Sequence, residues 1–247
     1  MDQKYKQRIL GLELQSYDWL GSSNMEPLLP KSPPLTLWDV SMGFETLEER
    51  KLRMLRPLRD TCMACTMCEL GRKDAEKGNI LRDPHVLSNM SPSRYVVIGQ
   101  NPGWDELEAC EPFVGQAGRN FDKEIKKHGR SRSDFYITNM VKCWTKGNAK
   151  PSVDHCLACS PFLDIEIRIL KPKIIITLGS VSFGMLCPGV KYNGALGVLT
   201  ESRFGMVYAV YHPSPMNIND RGRRVMFEEQ IYKLCRLMDR CDTQKLK

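Results

Sequence analysis

The sequence predicts an α/β fold, a three-layer α/β/α sandwich around a short, mostly parallel central sheet. Two observations carry that expectation. Apolar β-rich runs at Tyr95–Gly99, Phe135–Val141, Lys173–Gly179 and Met206–Tyr211 are separated by segments of helical periodicity. The turns that follow these runs carry Gln100-Asn101, Asn139, Gly179-Ser180 and His212-Pro213. In open parallel sheets the ligand site lies at the carboxyl ends of the strands, where these residues fall.

The elements can be justified in order. Residues 1–45 read as an N-terminal extension, because Pro27, Pro30, Pro33, Pro34 and Gly21-Ser-Ser interrupt its apolar patches. Trp19, Leu20, Leu37 and Trp38 are its candidate docking anchors. Residues 46–247 then form one domain. Thr46–Arg56 reads as a helix with Leu47, Leu52 and Leu55 on one side, ending at Pro57. Helices follow at Gly115–Lys127, at Ser152–Leu170 behind a Pro-Ser capping signal, at Val181–Leu186, and at Phe227–Met238.

A chain of 247 residues is long enough to bury a core. It has no apolar run of membrane-spanning length, and the N-terminus lacks the apolar centre of a secretory signal. An intracellular, membrane-free protein is therefore expected, and a monomer is the simplest assembly. Lys and Arg number 36 against 29 Asp and Glu, a net charge of +7 that leans toward a polyanionic partner.

In a reducing compartment 10 cysteines are poor candidates for disulfides and better ones for metal ligation. They cluster: Cys62-x-x-Cys65-x-x-Cys68 before the first strand, Cys143 after the second, and Cys156-x-x-Cys159 in the next helix. Soft thiolates suit zinc or an iron–sulfur cluster, and spacing alone does not separate the two. The lack of His beside the first group favours an all-thiolate cluster. Cys110, Cys187, Cys235 and Cys241 stand alone and read as structural or surface thiols.

The first strand breaks into Gly99-Gln-Asn-Pro-Gly103, and a second turn, Pro112-Phe-Val-Gly-Gln-Ala-Gly118, displays Phe113 among glycines. Phe113 is expected to be exposed there. Such turns deliver polar groups and a flat apolar face to one pocket.

These motifs, with Thr138-Asn-Met-Val-Lys-Cys143, Cys159-Ser-Pro161 and His212-Pro-Ser214, resemble the uracil-DNA glycosylase superfamily, most closely its iron–sulfur branch, family 4. The resemblance runs from about Cys62 to the end of the last helix. It implies a monofunctional enzyme of base excision repair that hydrolyses the N-glycosidic bond of uracil in single- or double-stranded DNA. It also implies a structural [4Fe–4S] cluster on Cys65, Cys68, Cys143 and Cys159, with Cys62 and Cys156 as competing ligands. Within that frame Phe113 stacks on the extruded base, and the Asn139 amide tells uracil from cytosine. Gly99 belongs to the same wall. His212 donates to O2 of the leaving base, Ser214 holds phosphate, and Met216 wedges into the vacated stack. Arg221, Arg223, Arg224, Lys142 and Lys146 supply positive charge toward DNA. The departure is at Gln100, where family 4 carries Glu. Gln100 and Asn101 then orient water without a carboxylate, with Asp105 and Glu106 as nearby acids. The same departure leaves room for a glycosylase retuned to another modified or deaminated base, or for a catalytically weak uracil-DNA-binding protein.

Overall fold

The computed structural model describes residues 46–76, 88–109 and 111–243. The extension at 1–45, with its four anchors, and Cys110 lie outside the described residues.

Helix α1 (Leu47–Met63) opens on a capping box in which Thr46 Oγ1 accepts from Glu49 N (3.2 Å) and Glu49 accepts from Thr46 N (2.8 Å). It does not stop at Pro57, as the sequence suggests, but continues to Met63. Proline removes one helical N–H. The segment stays helical because Leu55, Leu58 and Cys62 are buried on one face, and tertiary packing outweighs the local penalty. Leu47, expected on that face, is exposed. Helix α2 (Glu69–Glu76) follows the cysteine turn.

The sheet is built from β1 (Tyr95–Gly99), β2 (Tyr136–Asn139), β3 (Ile174–Leu178), β4 (Leu199–Ser202) and β5 (Gly205–Val210), in the order β2-β1-β3-β5-β4. The pairs β1–β2, β1–β3 and β3–β5 are parallel, and β4 joins β5 antiparallel as an edge strand. The four parallel strands coincide with the expected runs: β1 has the expected bounds, β2 and β3 are shorter at both ends, and β5 begins and ends one residue earlier. The antiparallel β4 was not foreseen, because its residues are only half-buried or exposed and give no apolar run.

The remaining helices are α3 (Trp104–Ala109), α4 (Gln116–Lys127), α5 (Val153–Leu170), α6 (Ser180–Leu186), α7 (Tyr192–Ala195), α8 (Pro215–Asn219) and α9 (Arg221–Thr243). The last begins at Arg221 rather than Phe227, because Asp220 Oδ1 accepts from Arg223 N (2.8 Å) and caps it. Strand alternation sorts the core into two layers. Val96 and Ile98 join Leu55, Leu58, Phe162 and Phe183 on the face covered by α1, α5 and α6. Tyr95 and Val97 join Phe121, Ile125, Phe227 and Ile231 on the face covered by α4 and α9. This is the three-layer sandwich expected, and it holds the carboxyl ends of four strands rigidly side by side. None of the described helices is long and apolar enough to cross a membrane.

Candidate active site

The register of β1 on β2 places Gly99 directly opposite Asn139. A side chain at position 99 would occupy the space of Asn139 Oδ1. Glycine there lets a buried amide lie across the strand end. Beyond Gly99, the Gln100-Asn101 turn, Phe113, Asn139, His212 and Ser214 line one cleft of about 380 Å3. Trp104, Asp105, Glu106 and Asn148 complete its rim. The structure thus brings together residues from the ends of β1, β2 and β5 and from the turn that carries Phe113, while the Gly179-Ser180 turn after β3 is not among the lining residues.

The two amides of the first turn are held in a fixed arrangement. Gln100 Nε2 donates to Asn101 Oδ1 (3.0 Å), and Asn101 Nδ2 donates to Pro102 O (2.9 Å) and Thr145 Oγ1 (3.0 Å). Glu106 is not a spare acid. It is buried, and its carboxylate accepts from Gly103 N (2.8 Å) and Gly115 N (2.7 Å), tying the first turn to the second. Asp105 faces Arg119 at 4.0 Å on the exposed rim.

Phe113 corrects the expectation of an exposed ring. It is 7 % exposed, sits edge-on to Phe121 (5.9 Å between ring centres) and to His212 (6.5 Å), and belongs to the core layer under α4 and α9 while still lining the cleft. Its φ of +56° is left-handed, which costs a non-glycine residue roughly 1–3 kcal/mol. Arg132 offsets that strain. Its guanidinium donates to the carbonyls of Pro112 (2.5 Å) and Phe113 (2.9 Å) and is itself anchored on Asp122 (3.2 Å). Arg132 was missed because it lies 19 residues from Phe113 in no recognisable motif. The turn is a rigid shelf for a ring that shows only part of itself.

His212 is half-buried, and burial lowers its pKa from 6.5 to about 4. At neutral pH it is an uncharged imidazole with one N–H to give. Upstream of it, Gln230 Oε1 accepts from Tyr211 N (2.8 Å) and fixes the chain that leaves β5. Asn120 Nδ2 donates to Pro213 O (2.8 Å), and Asn217 Nδ2 to His212 O (2.7 Å). Ser214 stands at the N-cap position of α8 without a side-chain capping bond, and Met216, next to the cleft-lining Pro215, is 76 % exposed. Arg221, Arg223, Arg224 and Lys146 are exposed. Lys142 is not. It is buried and bonded to Glu166 (2.5 Å) and Thr138 Oγ1 (2.7 Å), while Tyr136 donates to the same Glu166 (3.0 Å). Lys142 therefore holds β2 to α5 and offers no charge to a ligand in the cleft.

Cys62 ends the buried face of α1, Cys65 and Cys68 lie in the turn before α2, Cys143 is buried just after β2, and Cys156 and Cys159 are buried on α5. Among the described residues no three of His, Cys, Asp and Glu converge as a single metal ion requires. A polynuclear cluster holds its thiolates further apart, and the surroundings suit one. Cys65 and Cys68 each lie within electrostatic reach of Cys159, and Cys62 lies within reach of both Cys159 and Cys65. Met67 N approaches Cys65 Sγ at 3.5 Å, and the Lys142 backbone N–H donates to Cys159. Gly71 has no side chain to separate α2 from the Cys65 carbonyl, 2.5 Å from where its Cβ would stand. Burial pushes the Cys159 thiol up to about 11, so a metal must displace its proton. Cys187 and Cys235 are buried in the core, and Cys241 is half-buried.

Comparisons with known proteins agree with this architecture. The family model described as "Uracil DNA glycosylase superfamily" matches residues 87–235. The chain is similar to the type-4 uracil-DNA glycosylase of Sulfurisphaera tokodaii, 30 % identical over 187 residues, which covers 71 % of this chain and 81 % of the relative. The corresponding enzyme of Saccharolobus solfataricus is 33 % identical over 186 residues, covering 70 % and 81 %. That of Pyrobaculum aerophilum reaches 42 % over a shorter stretch of 87 residues, 35 % and 44 % of the two chains. With a matching model over most of the sheet and two of these relatives aligned along most of their length, the chain belongs to the uracil-DNA glycosylase superfamily.

Proposed function

We propose that this protein hydrolyses the N-glycosidic bond between uracil and deoxyribose in DNA and leaves an abasic site. The observation that supports this most directly is the convergence of Phe113, Asn139, His212 and the Gln100-Asn101 turn on one cleft.

A base inside a duplex is out of reach, so the target nucleotide must be turned out, at a cost of a few kcal/mol. Stacking on Phe113 returns about 1–3 kcal/mol. Met216 fills the gap left in the stack, and Ser214, Lys146, Arg221, Arg223 and Arg224 face the phosphates. The Asn139 amide donates to O4 and accepts from N3–H of uracil. Cytosine presents the reverse pattern and leaves both groups unpaired. As the C1′–N1 bond breaks, its electron pair moves onto the base, and His212 donates its N–H to O2, where the charge grows. Water held at the Gln100-Asn101 turn supplies the oxygen that bonds to C1′. Its proton leaves to solvent and balances the uracil anion.

Cys65, Cys68, Cys143 and Cys159 would hold a [4Fe–4S] cluster. When bound it supplies a cross-link between the cysteine turn, β2 and α5 rather than a redox step. Brown colour with visible charge-transfer absorption in protein purified without air tests the assignment, and a colourless zinc-bearing protein would overturn it.

Incubation of purified, cluster-loaded protein with uracil-containing single- and double-stranded oligonucleotides tests the activity. Alkali-labile abasic sites are expected, and intact oligonucleotides would sink the proposal. The uncharged Gln100 favours one second reading, a member retuned to another deaminated or modified base. A tenfold preference for such a base over uracil in the same assay would select it.

A further inference from the structure

The hydrogen bonds around Asn101 form a chain with only one possible direction. Two main-chain carbonyls end it, and a carbonyl can only accept. Pro102 O accepts from Asn101 Nδ2 (2.9 Å), and Ala149 O accepts from Thr145 Oγ1 (2.5 Å). The Thr145 proton is thereby committed, so the hydroxyl meets Asn101 as an acceptor, at 3.0 Å. Both neighbours require the nitrogen of Asn101 on their side. Its oxygen must then face Gln100, which answers by donating Nε2 at 3.0 Å. Reversing Asn101 would put its oxygen against a carbonyl and against a hydroxyl oxygen whose proton is spent, two acceptor–acceptor contacts in half-buried surroundings.

We infer that Thr145 is a positioning residue that sets the polarity of this amide pair, so that Gln100 turns its amide oxygen to the cleft and there holds the attacking water. Among the described residues no protein donor is bonded to Gln100 Oε1, and Gln100 lines the cleft with Asn139 and His212. A water that donates to this oxygen keeps its lone pairs free for C1′. The opposite amide end would bind the same water through those lone pairs and blunt it as a nucleophile. The direction of the chain thus does without charge part of what a carboxylate does by having two acceptor oxygens. Thr145 is well suited to the task. It is buried, and its carbonyl also accepts from Asn148 N (2.9 Å), anchoring it in the 3-10 turn Lys146–Asn148. The role deepens the uracil-excision reading and rests on it for its kinetic consequence, while the amide polarity stands by itself.

Two measurements test it. In single-turnover excision, Thr145→Val removes the hydroxyl at nearly constant shape and should slow the chemical step about tenfold with little change in affinity for uracil-DNA. Thr145→Ser should restore the rate. In a Gln100→Ala background, Thr145→Val should cost nothing further, because Thr145 acts through Gln100. An equal loss in both backgrounds, or failure of the serine variant to recover, would overturn the inference. Neutron crystallography of the wild-type protein reads the same point without activity, since it distinguishes amide nitrogen from oxygen. A Gln100 nitrogen facing the cleft would overturn the inference even in an active enzyme. An inactive wild type with the oxygen facing the cleft would instead overturn the excision reading alone.

Discussion

Replacing Glu106 by alanine would remove the acceptor of two main-chain N–H groups at once, those of Gly103 and Gly115 at 2.8 and 2.7 Å. Each hydrogen bond to a charged group contributes about 1.5–3 kcal/mol, and a buried donor left without a partner costs about 1–3 kcal/mol. Because both bonds share one carboxylate their losses do not add fully, and a net destabilisation of about 3–4 kcal/mol is expected. For a domain of this size that lowers Tm by roughly 6–16 °C. Glu106→Gln separates charge from shape. Its carbonyl satisfies one N–H, while its NH2 group faces the other donor, so about half the loss should remain. The kinetic effect comes through geometry. Glu106 ties the turn bearing Gln100 and Asn101 to the turn that ends beside Phe113, and misplacement of reacting groups by about 1 Å can cost a hundredfold in rate. Urea denaturation and single-turnover excision on the same preparations give the two numbers. A Glu106→Gln variant within about 0.5 kcal/mol of wild type and with an undiminished rate would show that the carboxylate bridges nothing of consequence.

Three further outcomes follow from the geometry. His212 titrates near 4 when folded and near 6.5 when unfolded, so between those values the unfolded chain binds more protons. Its contribution therefore withdraws stability as pH falls from about 6.5 to about 4, and excision should be flat from pH 6 to 8, its His212-linked acid limb falling near 4. A rate that halves near pH 6.5, with that limb abolished in His212→Asn, would contradict the assignment. Lys142→Met strands the buried Glu166 carboxylate and should cost about 3–5 kcal/mol, whereas Lys142→Met with Glu166→Leu should recover most of it; thermal denaturation of the pair checks this. Gly99→Ala forces Asn139 Oδ1 aside, so discrimination between uracil- and cytosine-containing DNA should fall at least tenfold, as competition assays would measure.

Much of the scaffold was legible because it rests on local signals. The four parallel strands are continuous apolar runs between turn residues, and their order of alternation with helices leaves few topologies open. Where the reading failed, a non-local term had outweighed a local one. Pro57 has a strong stop propensity, yet Leu58 and Cys62 beyond it are buried and hold the helix. Strand β4 has no apolar signature, because it pairs at the sheet edge with its residues half-buried or exposed, and Leu199 is its one apolar side chain packed on the core. Phe113 sits in a turn of small residues that suggests exposure, but Phe121 and His212 close around it. Lys142 stands in a basic stretch and is buried only because Glu166, 24 residues later, meets it.

By itself the sequence determined the fold class, the residues gathered at the strand ends and the chemical types of the site, since these depend on periodicity and on motifs of neighbouring residues. The tertiary structure alone decided which of those groups are free to act. Glu106 is occupied by two glycine N–H groups, Lys142 by Glu166, and Asn101 by Pro102 and Thr145. Hydrogen-bond capacity is finite and directional, and how each side chain spends it depends on partners 1 to 44 residues away in the chain. A missing carboxylate at Gln100 is visible in one dimension. The direction in which its amide points is set in three.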